Sequence, residues 1–207
     1  MDFDGFDPRP LPDTVTTVVK FLVAGGFGVG KTTLVGAVSE IRPLRTEETL
    51  TTATVGVDDL TGLPDKTTTT VGVDFGRLTL ADWLTLYLFG TPGQQRFWHL
   101  WNDLVVGTHG IVVLVDTRRL DHSFDVLERV EGAGVPFVVA VNTFPDTLDH
   151  PASALRQALD LPDHVPLTTC DARDRTSARN VLITLAEHIT TTAPHTPAVP
   201  TAATEPT

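Results

Sequence analysis

Short runs of apolar and β-branched residues alternate along the chain with stretches of helical periodicity. Alternation of this kind predicts a mostly parallel sheet with helices on both of its faces. Six runs have the length of strands: TTVVKFLVAG (16–25), TTTVGVDFG (68–76), LTLYLFG (84–90), GIVVLVD (110–116), VPFVVAVN (135–142) and VPLTTCD (165–171). Helical patterns fall near residues 31–42, 95–106, 119–132, 150–160 and 175–190.

The second and third predicted strands interrupt the alternation. Only RLTLADW (77–83) separates them, which is too short for a crossover helix, so we expect an antiparallel hairpin at one edge of the sheet. Upstream, residues 43–66 are rich in Thr, Asp, Gly and Pro and show no clear periodicity. A loop of that length inside a compact domain is usually functional or disordered.

Both ends of the chain contain little to bury. Residues 1–15 are rich in Asp and Pro, and residues 191–207 are mostly Thr, Ala and Pro, so both are expected to be disordered. The 207 residues suit one α/β domain rather than two domains with separate cores. The sequence therefore predicts a single domain over residues 16–190.

The charge balance narrows the range of partners. A formal net charge of -11 argues against general affinity for nucleic acid or anionic membranes, because both need clustered Lys and Arg. We find no signal-peptide pattern and no run of about 20 apolar residues that could span a bilayer. With Cys170 as the only cysteine, we expect a cytoplasmic protein without direct membrane insertion.

Residues GGFGVGKT (25–32) match the phosphate-loop pattern G-x-x-x-x-G-K-[ST] between a predicted strand and a predicted helix. Glycines let successive backbone N–H groups point at a phosphate, and the helix N-terminus adds its positive dipole end. Lys31 would reach the β- and γ-phosphates, and the Thr32 hydroxyl would bind Mg²⁺. The residues expected to contact the phosphates are Gly25, Gly28, Val29, Gly30, Lys31, Thr32 and Thr33.

After the third strand, GTPGQQ (90–95) stands where Ras-type GTPases carry Asp-x-x-Gly-Gln at the start of the second switch region. With the phosphate loop, the hairpin and the long loop, this Gly-Gln pair makes residues 18–190 resemble the Ras-like superfamily. The chain most resembles the bacterial branch of gliding-motility polarity GTPases and actinomycete GTPases encoded beside roadblock-domain proteins. The resemblance implies an α/β, three-layer P-loop NTPase (Ras-like) domain with a mostly parallel six-stranded sheet and one antiparallel edge hairpin.

The resemblance also implies GTP/GDP and Mg²⁺ as cofactors, and it assigns roles in the switch regions. Gly93 would donate its N–H to the γ-phosphate, and Gln94 would orient the attacking water, which makes Gln94 and Lys31 the expected catalytic residues. Thr70 is the candidate that would join Thr32 on the metal, although it could instead be a β-branched residue at a strand entry. The implied partners are a roadblock-type regulatory protein and a signalling complex.

Guanine recognition in this superfamily uses Asn-Lys-x-Asp after the fifth strand. The corresponding residues 142–146 read Asn-Thr-Phe-Pro-Asp, so Asn142 matches, the lysine is absent and Asp146 comes one residue late. Asp146 either reaches the base or is a turn carboxylate. The second base loop, usually Ser-Ala-Lys, corresponds to Cys170, Asp171, Ala172 and Arg173.

In that second loop, the Ala172 N–H is expected to bind the guanine carbonyl oxygen. Asp171 is the alternative acceptor if Asp146 does not reach the base. Arg118 and Arg119, further upstream, read as a solvated helix start.

Two further positions depart from the Ras pattern. Gly90 replaces the aspartate that orients the waters of the metal. We hypothesise that Asp116, at the end of the strand expected beside the phosphate loop, takes over this role, with Asp74 as the alternative. Phe27 replaces the glycine that lies next to the γ-phosphate.

Three functions are compatible with these residues. The first is a regulatory GTPase in which GTP and Mg²⁺ order residues 43–70 and 91–97 for a partner. The second is a P-loop ATPase or kinase, although no arginine-bearing lid is evident. The third is a nucleotide-bound pseudo-GTPase without turnover, which Gly90, Phe27 and Pro145 favour.

Phe27 generates a first prediction. An aromatic ring beside the γ-phosphate should crowd the transition state and any arginine inserted by a partner, so intrinsic hydrolysis is expected to be slow. The Phe27→Gly variant should hydrolyse GTP faster in single-turnover assays, with nucleotide affinity measured in parallel. A rate no faster than that of the unchanged chain would contradict this role for the ring.

Overall fold

The computed structural model describes residues 11–44, 47–49, 68–70, 73–93, 100–145 and 147–192, with only the backbone described for 47–49 and 68–70. The strands are β1 (Thr17–Gly25), β2 (Glu47–Thr49), β3 (Thr68–Thr70), β4 (Asp74–Ala81), β5 (Leu84–Gly90), β6 (Gly110–Val115), β7 (Phe137–Asn142) and β8 (Leu167–Cys170). The helices are α1 (Lys31–Val38), α2 (Trp101–Val105), α3 (Phe124–Gly132), α4 (Ala152–Ala158) and α5 (Arg175–Thr192). A 3-10 helix, Thr117–Ser123, precedes α3.

Six strands form the main sheet in the order β4-β5-β1-β6-β7-β8. The edge strand β4 is antiparallel to β5, whereas the other neighbours in this sheet are parallel. The predicted mostly parallel six-stranded sheet with one antiparallel edge hairpin is therefore confirmed. Strands β2 and β3 pair with each other in a separate two-stranded sheet.

The boundaries around the hairpin differ from the prediction. The expected strand 68–76 is divided, because Thr68–Thr70 pairs with Glu47–Thr49 while the main-sheet strand begins at Asp74. Residues 77–81, expected as part of the connection, continue β4 and pair with β5, so only Asp82 and Trp83 form the turn. Strand β2 also lies inside the region 43–66 that was expected to be an irregular loop.

The boundaries of two helices also differ from the prediction. Helix α1 ends at Val38 rather than near residue 42, because Ser39 adopts an extended conformation with ψ 140°. The Ser39 hydroxyl accepts a hydrogen bond from the Arg77 N–H at 3.2 Å, which ties the end of the helix to β4. The pattern at 119–132 begins as the 3-10 segment and becomes α-helical only at Phe124.

The core lies on both faces of the sheet. In β1, Phe21 and Val23 face the side covered by α1 and α5, whereas Leu22 and Ala24 face the side covered by α3. Burial on two faces explains why the central strands read as continuous apolar runs. The parallel strands all end at one edge of the sheet, where open α/β sheets bind their ligands.

The ends of the predicted domain are partly described. The Thr14 hydroxyl donates a hydrogen bond of 2.7 Å to the Asp82 carbonyl, and α5 continues to Thr192. Disorder was expected for 1–15 and 191–207, but residues 11–15 and 191–192 are described and the latter belong to α5. For residues 1–10 and 193–207, which lie outside the described residues, it stays a prediction. Within the described residues, no helix is both long and apolar enough to cross a membrane.

The position of β5 between two neighbouring strands generates a stability prediction. Leu88 is fully buried in β5, whereas Leu148 is 74% exposed. Leu88→Ala is expected to lower the free energy of unfolding by roughly 2–5 kcal/mol, because it removes core contacts and leaves a cavity. The matched control Leu148→Ala should change it by less than about 0.5 kcal/mol. Both changes can be measured by urea titration monitored by circular dichroism. Similar changes in the free energy of unfolding for the two variants would contradict the prediction.

Candidate functional site

The phosphate loop connects β1 to α1 through a backbone that only glycine adopts easily. Gly25, Gly28 and Gly30 have φ values of 148°, 77° and 109°, in the region that side chains rarely enter. At Gly30, a Cβ atom would also lie 2.6 Å from Asn142 Nδ2. The loop is therefore shaped by its glycines before any ligand is considered.

Lys31 lies at the centre of this loop. It is 8% exposed, and its Nζ donates hydrogen bonds of 2.9 Å to the Gly25 carbonyl and 2.8 Å to the Gly26 carbonyl. Gly93, after β5, packs so closely that a Cβ there would lie 2.6 Å from Lys31 Nζ and 2.8 Å from Phe27 Cα. The expected catalytic lysine, the phosphate loop and the start of the predicted second switch region thus meet at one point.

Thr32 contacts a carboxylate from the neighbouring strand. Its hydroxyl donates a hydrogen bond of 2.5 Å to Asp74 Oδ2, and Asp74 is 3% exposed. Asp74 pairs directly with Gly90 in the β4–β5 ladder, and a Cβ at Gly90 would lie 3.0 Å from Asp74 Oδ2. The Asp74 carboxylate therefore lies directly beside Gly90, where a side chain on residue 90 would crowd it.

This arrangement bears on the predicted metal. Mg²⁺ prefers oxygen ligands and is often held by one or two side chains together with waters and phosphate oxygens. A hydroxyl joined to a buried carboxylate fits that preference. The residues present are thus compatible with a magnesium ion bound at Thr32 and oriented by Asp74.

The structure places Asp116 in a different set of contacts. Its Oδ1 accepts hydrogen bonds from Arg118 N and Nε, both at 3.0 Å, and its Oδ2 accepts one from Nη2 at 2.8 Å. Burial favours the protonated acid, but the Arg118 hydrogen bonds and charge outweigh it and lower the pKa of Asp116. Because this carboxylate binds Arg118 and not Thr32, the geometry favours Asp74 over Asp116 as the replacement for the missing aspartate.

The two arginines after Asp116 have specific contacts that the sequence did not suggest. Arg118 lies over the ring of Phe144 at 3.8 Å, which connects the segment after β6 to the segment after β7. Arg119 Nη2 donates a hydrogen bond of 3.1 Å to the Phe27 carbonyl in the phosphate loop. The description of this pair as a solvated helix start was therefore wrong for Arg119, since the 3-10 segment turns its side chain back toward the loop.

Asn142 joins the two loops predicted to bind the base to the phosphate loop. Its Nδ2 donates a hydrogen bond of 2.8 Å to the Val29 carbonyl, and its Oδ1 accepts one of 2.9 Å from the Ala172 N–H. The Ala172 N–H, expected to bind a guanine carbonyl, is thus used by Asn142 in this structure. Asn142 is only 3% exposed, so it acts here as an organiser of the loops.

Asp171 and Cys170 have environments that limit their chemistry. Both Asp171 oxygens accept hydrogen bonds of 2.9 Å from Arg173, and these bonds lower the pKa of Asp171 to about 2. Burial raises the pKa of the Cys170 thiol to about 11, so it stays protonated at neutral pH. Cys170 contributes its backbone, because its carbonyl accepts the Thr143 N–H at 2.7 Å.

The side chains of three predicted site residues lie outside the described part of the structure. Gln94 and Asp146 lie outside the described residues, and only the backbone of Thr70 is described, opposite Glu47 in the β2–β3 pair. Thr33 is exposed in the first turn of α1. The catalytic, base-binding and metal-binding roles of Gln94, Asp146 and Thr70 stay predictions.

A family model described as "Conserved hypothetical ATP binding protein" matches residues 23–192, which include every element from the end of β1 onward. The chain belongs to this ATP binding protein family. Membership agrees with the phosphate loop and supports nucleotide binding. The family description mentions ATP, whereas the resemblance to Ras-type proteins implied a guanine nucleotide.

Two curated relatives have partial matches. The chain is 28% identical over 126 residues to "Uncharacterized protein MJ1339" of Methanocaldococcus jannaschii, a match over 60% of this chain and 69% of the relative. It is 30% identical over 119 residues to "Ras-related protein Rab-18-B" of Danio rerio, over 58% of this chain and 49% of the relative. The match thus spans about half the length of the Rab protein.

Solved structures of G domains resemble this fold. The FeoB G domain from Methanococcus jannaschii has a TM-score of 0.56 at 11% identity, over 84% of this chain and 99% of the other. The G domain of the T. maritima FeoB iron transporter has a TM-score of 0.54 at 16% identity, over 84% and 98%. At these identities the likeness shows the G-domain P-loop fold alone.

The Asp74 contact generates a prediction for this ATP binding family member. Asp74→Asn keeps the size of the side chain but removes its charge, so Mg²⁺-dependent nucleotide affinity should fall by about 10–100-fold. The measurement is the ratio of nucleotide affinity with Mg²⁺ to that with EDTA. Asp116→Asn is the matched control and should leave the ratio unchanged.

A double variant separates the contact from general damage to the fold. The double variant Asp74→Gly, Gly90→Asp moves the carboxylate from β4 to β5. Its ratio of affinity with Mg²⁺ to affinity with EDTA should be higher than that of the single variant Asp74→Gly. If Asp116→Asn lowered the ratio of the two affinities and Asp74→Asn did not, the hypothesis that Asp116 replaces the missing aspartate would be supported instead.

Proposed function

We propose that this protein is a GTP-binding molecular switch that binds GTP or GDP with Mg²⁺, hydrolyses GTP slowly and signals through a partner protein. The observation that carries the proposal is the meeting of Lys31, Phe27 and Gly93 at one point beside the Thr32–Asp74 pair. Family membership and the G-domain fold support the nucleotide-binding part of the proposal.

Phosphate binding follows from the shape and charge of the loop. The backbone N–H groups between Gly25 and Lys31 would surround the β-phosphate, with the positive end of α1 directed at the same place. Lys31 would exchange its carbonyl partners, Gly25 and Gly26, for phosphate oxygens. A phosphate oxygen carries negative charge whereas a carbonyl is neutral, so the exchange adds the attraction of opposite charges to the hydrogen bonds of the ammonium.

The metal would be held by the Thr32 hydroxyl, with Asp74 accepting hydrogen bonds from Thr32 and from water. When bound, Mg²⁺ supplies positive charge that offsets the charge developing on the phosphate oxygens. Thr70, in the segment 43–70 that the nucleotide would order, is the proposed second protein ligand of Mg²⁺. The buried Asp74 carboxylate fixes the orientation of Thr32 in advance, which reduces the rearrangement needed on binding.

Switching is supported by the position of Gly93. Its backbone lies against Lys31 Nζ and Phe27 Cα, and even a Cβ atom would not fit between them. A γ-phosphate bound to Lys31 therefore requires the segment beginning at Gly93 to move. After that movement, the Gly93 N–H would contact the γ-phosphate and Gln94 would orient the attacking water, with the Phe27 ring slowing the reaction.

Guanine preference is the proposed specificity, with Asp146 as the acceptor for the base and Asn142 holding its loop. A second candidate is an adenine nucleotide, because the family is described as ATP binding and because the Ala172 N–H is used by Asn142. Asp171 is a weaker acceptor candidate, since both of its oxygens bind Arg173.

The cellular part of the proposal rests on the resemblance described above. A roadblock-type regulatory protein would bind the switch surface and adjust hydrolysis, and the pair would belong to a signalling complex. The protein would act in the cytoplasm and reach a membrane only through that partner.

Nucleotide competition tests this function. With a fluorescent guanine nucleotide bound to the full chain, unlabelled GTP should displace it at least about tenfold better than ATP. Asp146→Asn exchanges a carboxylate that only accepts hydrogen bonds for an amide that also donates. It should lower the affinity for GTP by about 10–100-fold and raise the affinity for xanthosine triphosphate. Asp171→Asn is the control and should alter neither affinity.

Phosphate release measured on the same samples distinguishes the remaining functions. Slow release from GTP to water supports the switch. Tighter binding of ATP would establish the second candidate, and tight binding without any release would establish a pseudo-GTPase. Transfer of phosphate to a metabolite would indicate a kinase.

A further inference from the structure

An apolar groove lies between α5 and the hairpin edge of the sheet, at the end of β1 opposite the phosphate loop. It has a volume of about 440 Å³, and nearly all of its surface is hydrocarbon. Leu80 is 52% exposed on the sheet side and Ile183 is 51% exposed on the α5 side. Its other apolar walls include Val19, Leu78, Leu84 and Ile189.

The groove extends the core cluster that α1 and α5 cover elsewhere. Val19, Leu78 and Ile189 pack against that cluster at the inner end of the groove. An exposed apolar surface continuous with a core is a candidate for burial by another segment. The titratable side chains that line the described groove are Arg179 and His109, and no carboxylate lines it.

The chain enters the domain at the mouth of this groove. The Thr14 hydroxyl donates to the Asp82 carbonyl at 2.7 Å, and the Thr16 and Thr17 N–H groups donate to the Trp83 carbonyl at 3.1 and 3.0 Å. Asp82 and Trp83 form the turn between Leu80 and Leu84, which both line the groove. The described chain therefore begins beside the groove, and a segment of ten residues has a reach of up to about 35 Å.

The composition of that segment matches the groove. MDFDGFDPRP carries Phe3 and Phe6 among three aspartates and one arginine. Phenylalanines can fill an apolar cavity, and the aspartates have the charge opposite to that of Arg179. The other end of the chain, 193–207, also begins near the groove at the end of α5 but contains no aromatic residue.

We propose that residues 1–10 dock in this groove, with Phe3 and Phe6 inserted between α5 and the β4–β5 hairpin and the aspartates near Arg179. Docking covers the exposed leucine and isoleucine side chains and holds the N-terminal segment against the hairpin that carries Asp74. This role is independent of which nucleotide the site binds.

Isoleucine methyl spectra test the proposal on the full chain. The sequence has four isoleucines, Ile41, Ile111, Ile183 and Ile189, and the last two line the groove. The double variant Phe3→Ala, Phe6→Ala is expected to shift the Ile183 and Ile189 signals and leave those of Ile41 and Ile111 in place. Phe124→Ala, which removes a 47% exposed ring on α3, is the matched control and should shift neither groove signal.

A spin label then identifies the occupant. Cys170 is buried and resists labelling at neutral pH, so Asp2→Cys can be labelled selectively. The label should broaden the Ile183 and Ile189 signals of its own chain more strongly than the Ile111 signal, and Arg179→Glu should reduce the broadening.

Three outcomes would overturn the proposal. If the double variant does not shift the Ile183 and Ile189 signals and the label does not broaden them, docking of the N-terminal segment is excluded. Broadening that occurs only between labelled and isotope-enriched chains in a mixed sample assigns the groove to a second copy. Groove signals that shift only on deletion of 193–207 assign it to the C-terminal segment.

Discussion

The buried amide of Asn142 joins the three segments on which the candidate site depends. Its two hydrogen bonds connect the end of β7 to Val29 in the phosphate loop and to Ala172 after β8. A buried amide is costly to leave without partners, so each of these segments is held in one position relative to the others. The close approach of Nδ2 also requires glycine at position 30, and glycine gives the loop its left-handed turn.

The Thr32–Asp74 contact shows how a carboxylate can reach the phosphate loop from the strand next to the one that the Ras pattern uses. In the antiparallel hairpin, Asp74 and Gly90 face each other, so a carboxylate on either strand can reach the same place. The absent side chain at Gly90 provides the space into which the Asp74 carboxylate extends. A motif read along one strand misses this exchange, because the two positions are neighbours only across the ladder.

The sequence predicted the elements whose pattern is strong. The run at 84–90 coincides with β5, and the phosphate loop lies between β1 and α1 as expected. The edge strand β4 was harder to delimit, because the β-branched run 68–70 before it pairs with β2 and not with β5. Asp74 could be favoured over Asp116 only after the hairpin register was known, and Arg119 was missed because its direction depends on the 3-10 turn. Gln94 and Asp146, which the resemblance assigned to catalysis and base recognition, lie outside the described residues.

The contact of Gly93 with Lys31 and Phe27 has an energetic consequence for ligand choice under the proposed function. Under that proposal, a nucleoside diphosphate would occupy the loop without displacing Gly93, whereas a triphosphate would have to displace it. The apparent affinity for the triphosphate would then be reduced by the free energy of the Gly93 contact. A partner that binds the open segment would remove this penalty, and linkage requires the triphosphate to strengthen that partner's binding by the same factor.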